Sequence, residues 1–335
     1  MARYNRGVSE NVTIRIAAEA DSRLLAEIER HSPIEGAGTA VMIDRGEDYF
    51  AASRLMAEVV TLIAEVDGQP AAAICGAFHP ARVGGVERKM AYIHHARVLP
   101  QFQRTGLGRL LSARLREIVN QRGVDSDYWY ISTTNAKSQS FAKVAPNRWA
   151  ARAHWATLPA AAVAGPAYGR TASPSDAPAI VAILNACHEG EEMFLPYTVE
   201  SLTERLERAP EMYSWENLRL GDGAVAGLWF EADWVTVRVR QADGSEAVSR
   251  AGALLDHGCA PGAEGELEAL LRGWCGEVAR RGWDEVSAFS SPSAHAWPVI
   301  SALTEQISLM DFWTPLLPEP EGAAERGLYV DHIYF

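Results

Sequence analysis

Residues 98–108 read Val-Leu-Pro-Gln-Phe-Gln-Arg-Thr-Gly-Leu-Gly, and apolar residues sit at Leu107, Leu110, Leu111, Leu115 and Ile118. The apolar run at 90–99 ahead of them reads as a strand, and Pro100 ends it because proline lacks the ladder donor. The spacing that follows places one apolar face on a helix over 108–121, with Gly123 in the C-cap position. A strand that enters a loop and leaves it as a helix commits the chain to an α/β class. The first turn of such a helix leaves N–H groups without partners, and the macrodipole adds partial positive charge there. Gly106 and Gly108 carry no side chains, so a phosphate can approach the backbone closely. Gln103 can donate through its amide, and Arg104 and Arg109 supply positive charge. The loop is suited to a pyrophosphate.

Two other phosphate loops are excluded by the residues. A Walker loop requires Gly-Lys-Ser/Thr after its glycines, which is absent. A dinucleotide fingerprint requires a third glycine where Leu111 stands.

The remaining segments arrange themselves in two similar halves. Residues 13–18 read as a strand, and Asp21 opens a helix to about Arg30. Residues 168–173 and Asp176 repeat that order, with a helix to about Cys187. Residues 61–66 and 71–78 are apolar runs joined by Asp67-Gly68, a strong hairpin signal. Residues 128–134 read as a further strand and 137–144 as a short helix. In the second half, 217–220 and 225–230 flank Gly221-Asp222-Gly223, 267–280 is helical and 285–289 extended. Gly106 precedes Gly123 by seventeen residues, and Gly265 precedes Gly282 by the same interval. Residues 160–166 (AAAVAGP) are bland and end in proline, as a linker does. We expect an α/β protein of two duplicated domains, 1–160 and 167–335, each a mixed, mostly antiparallel sheet flanked by helices. A final strand is expected over 329–335.

The 335 residues suffice for two cores of ordinary size. The net charge of −12 disfavours nucleic acid and anionic lipid, and favours a cationic partner. No run of eighteen apolar residues is present, and residues 1–10 lack a signal-peptide core. Cys75, Cys187, Cys259 and Cys275 form no CxxC pair. They read as reduced thiols of a cytoplasmic protein, with neither a disulfide frame nor a metal site.

VLPQFQRTGLGRLL resembles the acyl-CoA-binding motif of the GNAT acetyltransferases, V-x-P-x-x-[QR]-x-x-G-x-[GA]. The order of elements over residues 11–158 is similar as well. The resemblance implies acetyl-CoA or another acyl-CoA as co-substrate. Backbone groups at Arg97, Val98 and Leu99 would pair with the pantetheine arm as an added strand. Gln103 and the amides of Arg104, Thr105, Gly106, Leu107, Gly108 and Arg109 would hold the pyrophosphate. Asn135 matches the asparagine that meets the pantetheine. Phe141 stands where many members carry a tyrosine that protonates the leaving thiolate, and it has no hydroxyl.

The implied reaction is acyl transfer to the amine of a small molecule, which needs a base or a water chain. Tyr92 stands near the glutamate position of many members. Simple alternation puts Tyr92, His94, Ala96 and Val98 on one face of the motif strand, and Ile93, His95, Arg97 and Leu99 on the other. His94 is the first base candidate and His95 the alternative. Glu35, Asp44, Glu47 and Asp48 fall where the acceptor cleft is shaped and would suit a cation. Tyr128, Tyr130, Ser132 and Thr134 line either that pocket or the core. His188, Glu189, Glu191 and Glu192 form either a cation-binding cluster or ordinary loop acidity. In the second half Glu264, Glu266 and Glu268 surround Gly265, so that copy is expected to bind no CoA. O-acyl transfer and a CoA-sensing module without turnover remain open, as does a homodimer.

Overall fold

The computed structural model describes residues 11–36, 38–143, 148–316 and 327–332. The first half contributes β1 (Val12–Ile16), α1 (Ser22–Arg30), β2 (Ile34–Gly36), β3 (Thr39–Asp44), β4 (Glu58–Val66), β5 (Gln69–Val83), β6 (Val86–Val98), α2 (Leu107–Gln121), β7 (Ser126–Ser132), α3 (Ala136–Ala142), β8 (Arg148–Pro159) and α4 (Ala160–Val163). The second contributes β9 (Arg170–Thr171), α5 (Ala177–Cys187), α6 (Val199–Glu207), β10 (Leu218–Leu220), β11 (Ala224–Trp229), β12 (Thr236–Arg240), β13 (Glu246–Ser249), β14 (Ala251–Cys259), α7 (Glu264–Arg280), β15 (Glu285–Ser290), α8 (Trp297–Ala302) and β16 (Gln306–Thr314).

Local chemistry places the turns. Asp67 and Gly68 both have positive φ, 51° and 75°, as a two-residue hairpin between β4 and β5 requires. Gly123 follows α2 at φ 61° and Gly282 follows α7 at φ 71°, the left-handed closure glycine permits. Asp21 and Asp176 do not cap their helices through their side chains. Each grips an arginine six residues upstream, Arg15 and Arg170, at 2.7 Å. Both pairs lie 155 positions apart, so the two halves open on the same clasp.

The sheets expected for the two halves are joined into one twelve-stranded sheet of order β1-β4-β5-β6-β7-β16-β8-β15-β14-β11-β10-β9. The reason is an exchange of strands. β16, from the second half, pairs with β7, and β8, from the first, pairs with β15; β8 and β16 pair with each other. A cut in sequence at 160–167 does not cut the sheet. Most neighbours run antiparallel, and the parallel pairs are β6–β7 and β14–β15, three residue pairs each. A helix, α2 or α7, links each parallel pair, as parallel strands require. A second sheet of order β13-β12-β3-β2 also joins the halves, because β3 pairs with β12.

Helix α2 lays Leu107, Leu111 and Leu115 on one face of β4–β6, against Leu62, Ile74 and Ile93. Each leucine so buried stabilises the fold by about 1.5–3 kcal/mol. Gly76 of β5 lets the helix settle, since a Cβ there would stand 3.2 Å from Leu115. Helix α1 covers the opposite face, with Leu25 and Ile28 on Ile63, Ala73 and Cys75. The four cysteines are free and buried. The expected helix over 137–144 is α3, its last expected residue lying outside the described residues. The expected final strand is not formed over 329–332; Leu328 alone bridges to Glu192, and 333–335 lie outside the described residues.

Candidate active site

β6 and β7 pair only from Met90–Ser126 to Tyr92–Tyr128. Beyond Tyr92, among the described residues, β7 pairs with β16 and β6 keeps only its β5 partner. Ile93 to Val98 therefore turn a strand edge toward the widening gap between β6 and β7. Helix α2 begins at that end of the gap. Its N-cap is Gly106 at φ 91°, and no side chain caps it. Arg104 also adopts positive φ, 65°, so the loop turns twice through left-handed backbone. Gln103 Nε2 donates to the Val98 carbonyl at 3.2 Å, and Thr105 Oγ1 donates to Phe102 O at 2.7 Å. The loop is thus fastened to the strand end by its own side chains. A Cβ on Gly108 would stand 3.7 Å from Val98, an ordinary contact.

The alternation expected along the motif strand is broken by one residue. The β5–β6 register shifts between Ala73 and Cys75, and His95 takes φ 47°. This bulge leaves Tyr92 and His94 on the α1 side and carries His95, Arg97 and Leu99 there too. His95 meets Tyr49, Arg97 reaches Glu29 of α1, and Leu99 packs with the α1 cluster. Val98 packs instead with Ile93 under α2. The expected division of these residues between two faces is corrected accordingly. A period of two cannot reveal a bulge, which adds a residue without changing composition.

The α1 side of the bulge is a buried polar cluster. Arg45, just past β3, donates from Nε to Glu29 Oε2 at 2.7 Å and from Nη2 to His95 Nε2 at 2.8 Å. Arginine only donates, so His95 Nε2 is the acceptor. Arg97 Nη2 lies 3.6 Å from Glu29 Oε1. His94 is 6% exposed and stacks on Tyr92 at 4.9 Å. Burial, then Arg45 and Arg97, push its imidazole down to about 3. Burial and Arg45 likewise hold His95 well below the usual histidine range. Both rings are neutral at pH 7, and His94 is a weak proton acceptor. Burial raises Tyr92 above the usual phenol range. Glu231, at the start of the turn after β11, lies in the field of Arg45, and burial pushes its carboxyl up to about 7. The sequence pattern singled out neither Glu29, Arg45 nor Glu231. Only Glu29 carried a signal, a carboxylate at a helix position flanked by the buried Ile28.

Ligand atoms of Cys75, His94 and His95 lie within 4.8 Å of one another. A dication there would sit beside two guanidinium groups. It would also require an ionised thiol, which burial resists at Cys75.

Other expected site residues have partners of their own. Asn135 caps α3, accepting from Ser138 N at 3.1 Å. Phe141 packs on Trp129 at 5.8 Å. Glu35 pairs with Lys137, Asp44 with Arg30 and Asp48 with Arg54, so these carboxylates already hold cations of the chain itself. Tyr128 belongs to the core and Tyr130 packs against it. His188 Nδ1 meets Glu191 Oε2 at 3.1 Å and its Nε2 meets the His257 carbonyl at 2.8 Å, so it bridges elements. In the second half, Glu264 accepts from Gly262 N and Glu266 from Gly223 N, both beside the start of α7.

Residues 23–145 match the model of the Acetyltransferase (GNAT) family. No curated protein matches the sequence. Among solved structures, Saccharomyces cerevisiae N-myristoyltransferase with bound myristoyl-CoA is similar at 10% identity and TM-score 0.61, covering 98% of this chain and 93% of that one. A second structure of that enzyme with myristoyl-CoA gives TM-score 0.64 at 10% identity, covering 94% and 81%. A GCN5-related N-acetyltransferase from Sphaerobacter thermophilus gives 0.55 at 15% identity, covering 94% and 98%. These likenesses concern the fold. Among the described residues, no helix is long and apolar enough to cross a membrane.

Proposed function

We propose that this chain, which belongs to the GNAT acetyltransferase family through residues 23–145, moves an acetyl or other short acyl group from acyl-CoA to the amine of a small molecule. The observation that carries the reading is the uncapped start of α2 at Gly106, standing beside the unpaired edge of β6. Main-chain donors of residues 104–108 suit a pyrophosphate, the Arg109 N–H being bonded to the Gly106 carbonyl, and the edge of 93–98 suits an extended pantetheine arm. Neither role needs a side chain, which is why glycine serves at 106 and 108.

The amine nitrogen attacks the thioester carbonyl carbon. The N–C bond forms, the C–S bond breaks, and the thiolate leaves with CoA. Main-chain N–H groups at the bulge of β6 stabilise the oxyanion. His94, neutral at pH 7, accepts a hydrogen bond from the amine and orients it. Its low basicity gives the proton to water instead. Phe141 offers no acid, so the thiolate collects its proton from solvent.

We read the second half as a silent copy. It repeats the clasp, the parallel strand pair and the linking helix, while Glu264 and Glu266 occupy the helix start where a phosphate would need room. A CoA-binding module without turnover is the rival, favoured by the low basicity of His94. Thiol release with DTNB, from acetyl-CoA and a panel of amines, separates the two. Turnover supports transfer, tight CoA binding without turnover supports the module, and no affinity for CoA removes both.

A further inference from the structure

Among the described residues, Glu29 Oε1, both ring nitrogens of His94, and Arg97 Nε are buried and carry no hydrogen bond. They belong to one cluster. Arg97 stands 3.6 Å from Glu29 Oε1, and the His94 ring lies 4.4 Å from that of His95, which Arg45 ties to Glu29. Glu29 and His94 are 2% and 6% exposed, so bulk water does not serve these atoms. Buried polar atoms left unpaired are costly, and a group of them facing one another calls for a polar guest.

The unpaired atoms state what the guest must offer. Arg97 Nε–H is a donor and needs an acceptor. Glu29 Oε1 is an acceptor and needs a donor. His94, neutral, supplies one of each. The charges add a second requirement. Arg45 and Arg97 bring two positive charges and Glu29 one negative. Glu231 is half protonated near pH 7 and adds little below it. The cluster is therefore net positive, and its guest is an anion that also carries N–H groups.

Resting on the acyltransferase reading above, we propose that the acceptor is an α-amino acid. Its carboxylate lies on Arg97, and its amino group lies between Glu29 Oε1 and His94. The two functions of an α-amino acid are separated by one carbon, which matches the short span between Arg97 and Glu29. A surplus positive charge also favours the amine in its neutral, attacking form. The cluster flanks the bulge of β6, so an amine held there faces the edge proposed for the thioester. The expected preference for a cationic amine is replaced by one for an amino-carboxylate, because three of the acidic residues expected to attract a cation, Glu35, Asp44 and Asp48, are already paired.

The test uses the full chain with acetyl-CoA and, separately, a longer acyl-CoA. Thiol release is followed for each of the twenty common amino acids and for the matching decarboxylated amines. At least one amino acid should exceed its amine tenfold or more in kcat/KM. Arg97→Met should erase that preference, and Arg97→Lys should restore part of it. Equal rates for amine and amino acid, or loss from Arg97→Met of both alike, would overturn the proposal. If CoA binds but no acceptor turns over, calorimetry of the amino acids against the CoA-loaded protein decides. Heat from an amino acid and none from its amine keeps the subsite while the transfer reading falls; no heat from any amino acid removes the subsite.

Discussion

Arg45 Nη2 donates to His95 Nε2 at 2.8 Å, and His95 is the residue whose φ of 47° bends the motif strand. Glu29 holds Arg45 from behind at 2.7 Å with a side chain 2% exposed. Arg45→Met leaves that carboxylate buried without its main partner. The expected cost is about 3–5 kcal/mol, read by urea unfolding. The double variant Glu29→Leu/Arg45→Met should cost less than the sum of the two single changes, since it removes both charges. Simple additivity would show that the pair does not act as a unit.

The glycines separate fold from ligand. Gly106→Val puts a β-branched residue at φ 91°, where an L-residue is strained by about 1–2 kcal/mol, and adds side chain where phosphate would sit. CoA affinity should fall at least 100-fold in calorimetry. Gly108→Ala meets only an ordinary 3.7 Å contact with Val98, so Tm should rise slightly and CoA should still bind. Gly265→Ala lies in α7 and meets nothing within 4 Å, so Tm should likewise rise slightly and CoA binding should be unchanged. Loss of CoA binding from Gly265→Ala would mean that the second half binds nucleotide.

Turns and helices announced themselves in the sequence because short-range chemistry dictates them. Asp67-Gly68, Gly123 and Gly282 all adopt the left-handed backbone their residue types favour. The apolar spacing from Leu107 to Ile118 is the buried face of α2. Pairings between distant strands left no such mark. Nothing in residues 306–314 says that they lie between β7 and β8, and nothing in Thr39–Asp44 points to β12. The site divides in the same way. The glycine loop is local and legible, whereas the Glu29–Arg45–His95 chain joins three elements and depends on a bulge.

Acid should unfold the protein early. Burial pushes His79 down to about 4, and His94, His257 and His332 down to about 3. Unfolded, each would titrate near 6.5. Between about pH 6.5 and these folded values the unfolded chain binds more protons. Stability is therefore full above pH 6.5 and is lost as pH falls, by up to about 1.4 kcal/mol per pH unit for each histidine. Urea midpoints measured from pH 7.5 to 4.5 should drop steeply. Substituting His332 by Phe should flatten the decline; an unchanged slope would show that the ring is not buried in the neutral form.

Arg205 donates from Nε to Asp256 at 2.8 Å and from both Nη atoms to Asp331 at 2.7 and 2.9 Å. The Asp256 carboxylate is fully buried, and Tyr197 and Tyr213 also donate to it. Arg205→Met should cost about 3–5 kcal/mol through the uncompensated Asp256. It should also free residues 327–332, seen as cleavage there by a broad protease under native conditions. Resistance equal to that of the unaltered protein would show that this segment is held by other contacts.

β16 lies between β7 and β8 and pairs with both. A nascent chain that has emerged only to residue 160 therefore carries β7 with one row of backbone donors and acceptors bare, an invitation to mispairing with other chains. The far wall of the gap beside β6 is completed only when residues 306–314 arrive. Competence is thereby tied to synthesis: a half-made polypeptide has its glycine loop written but no firm slot to go with it.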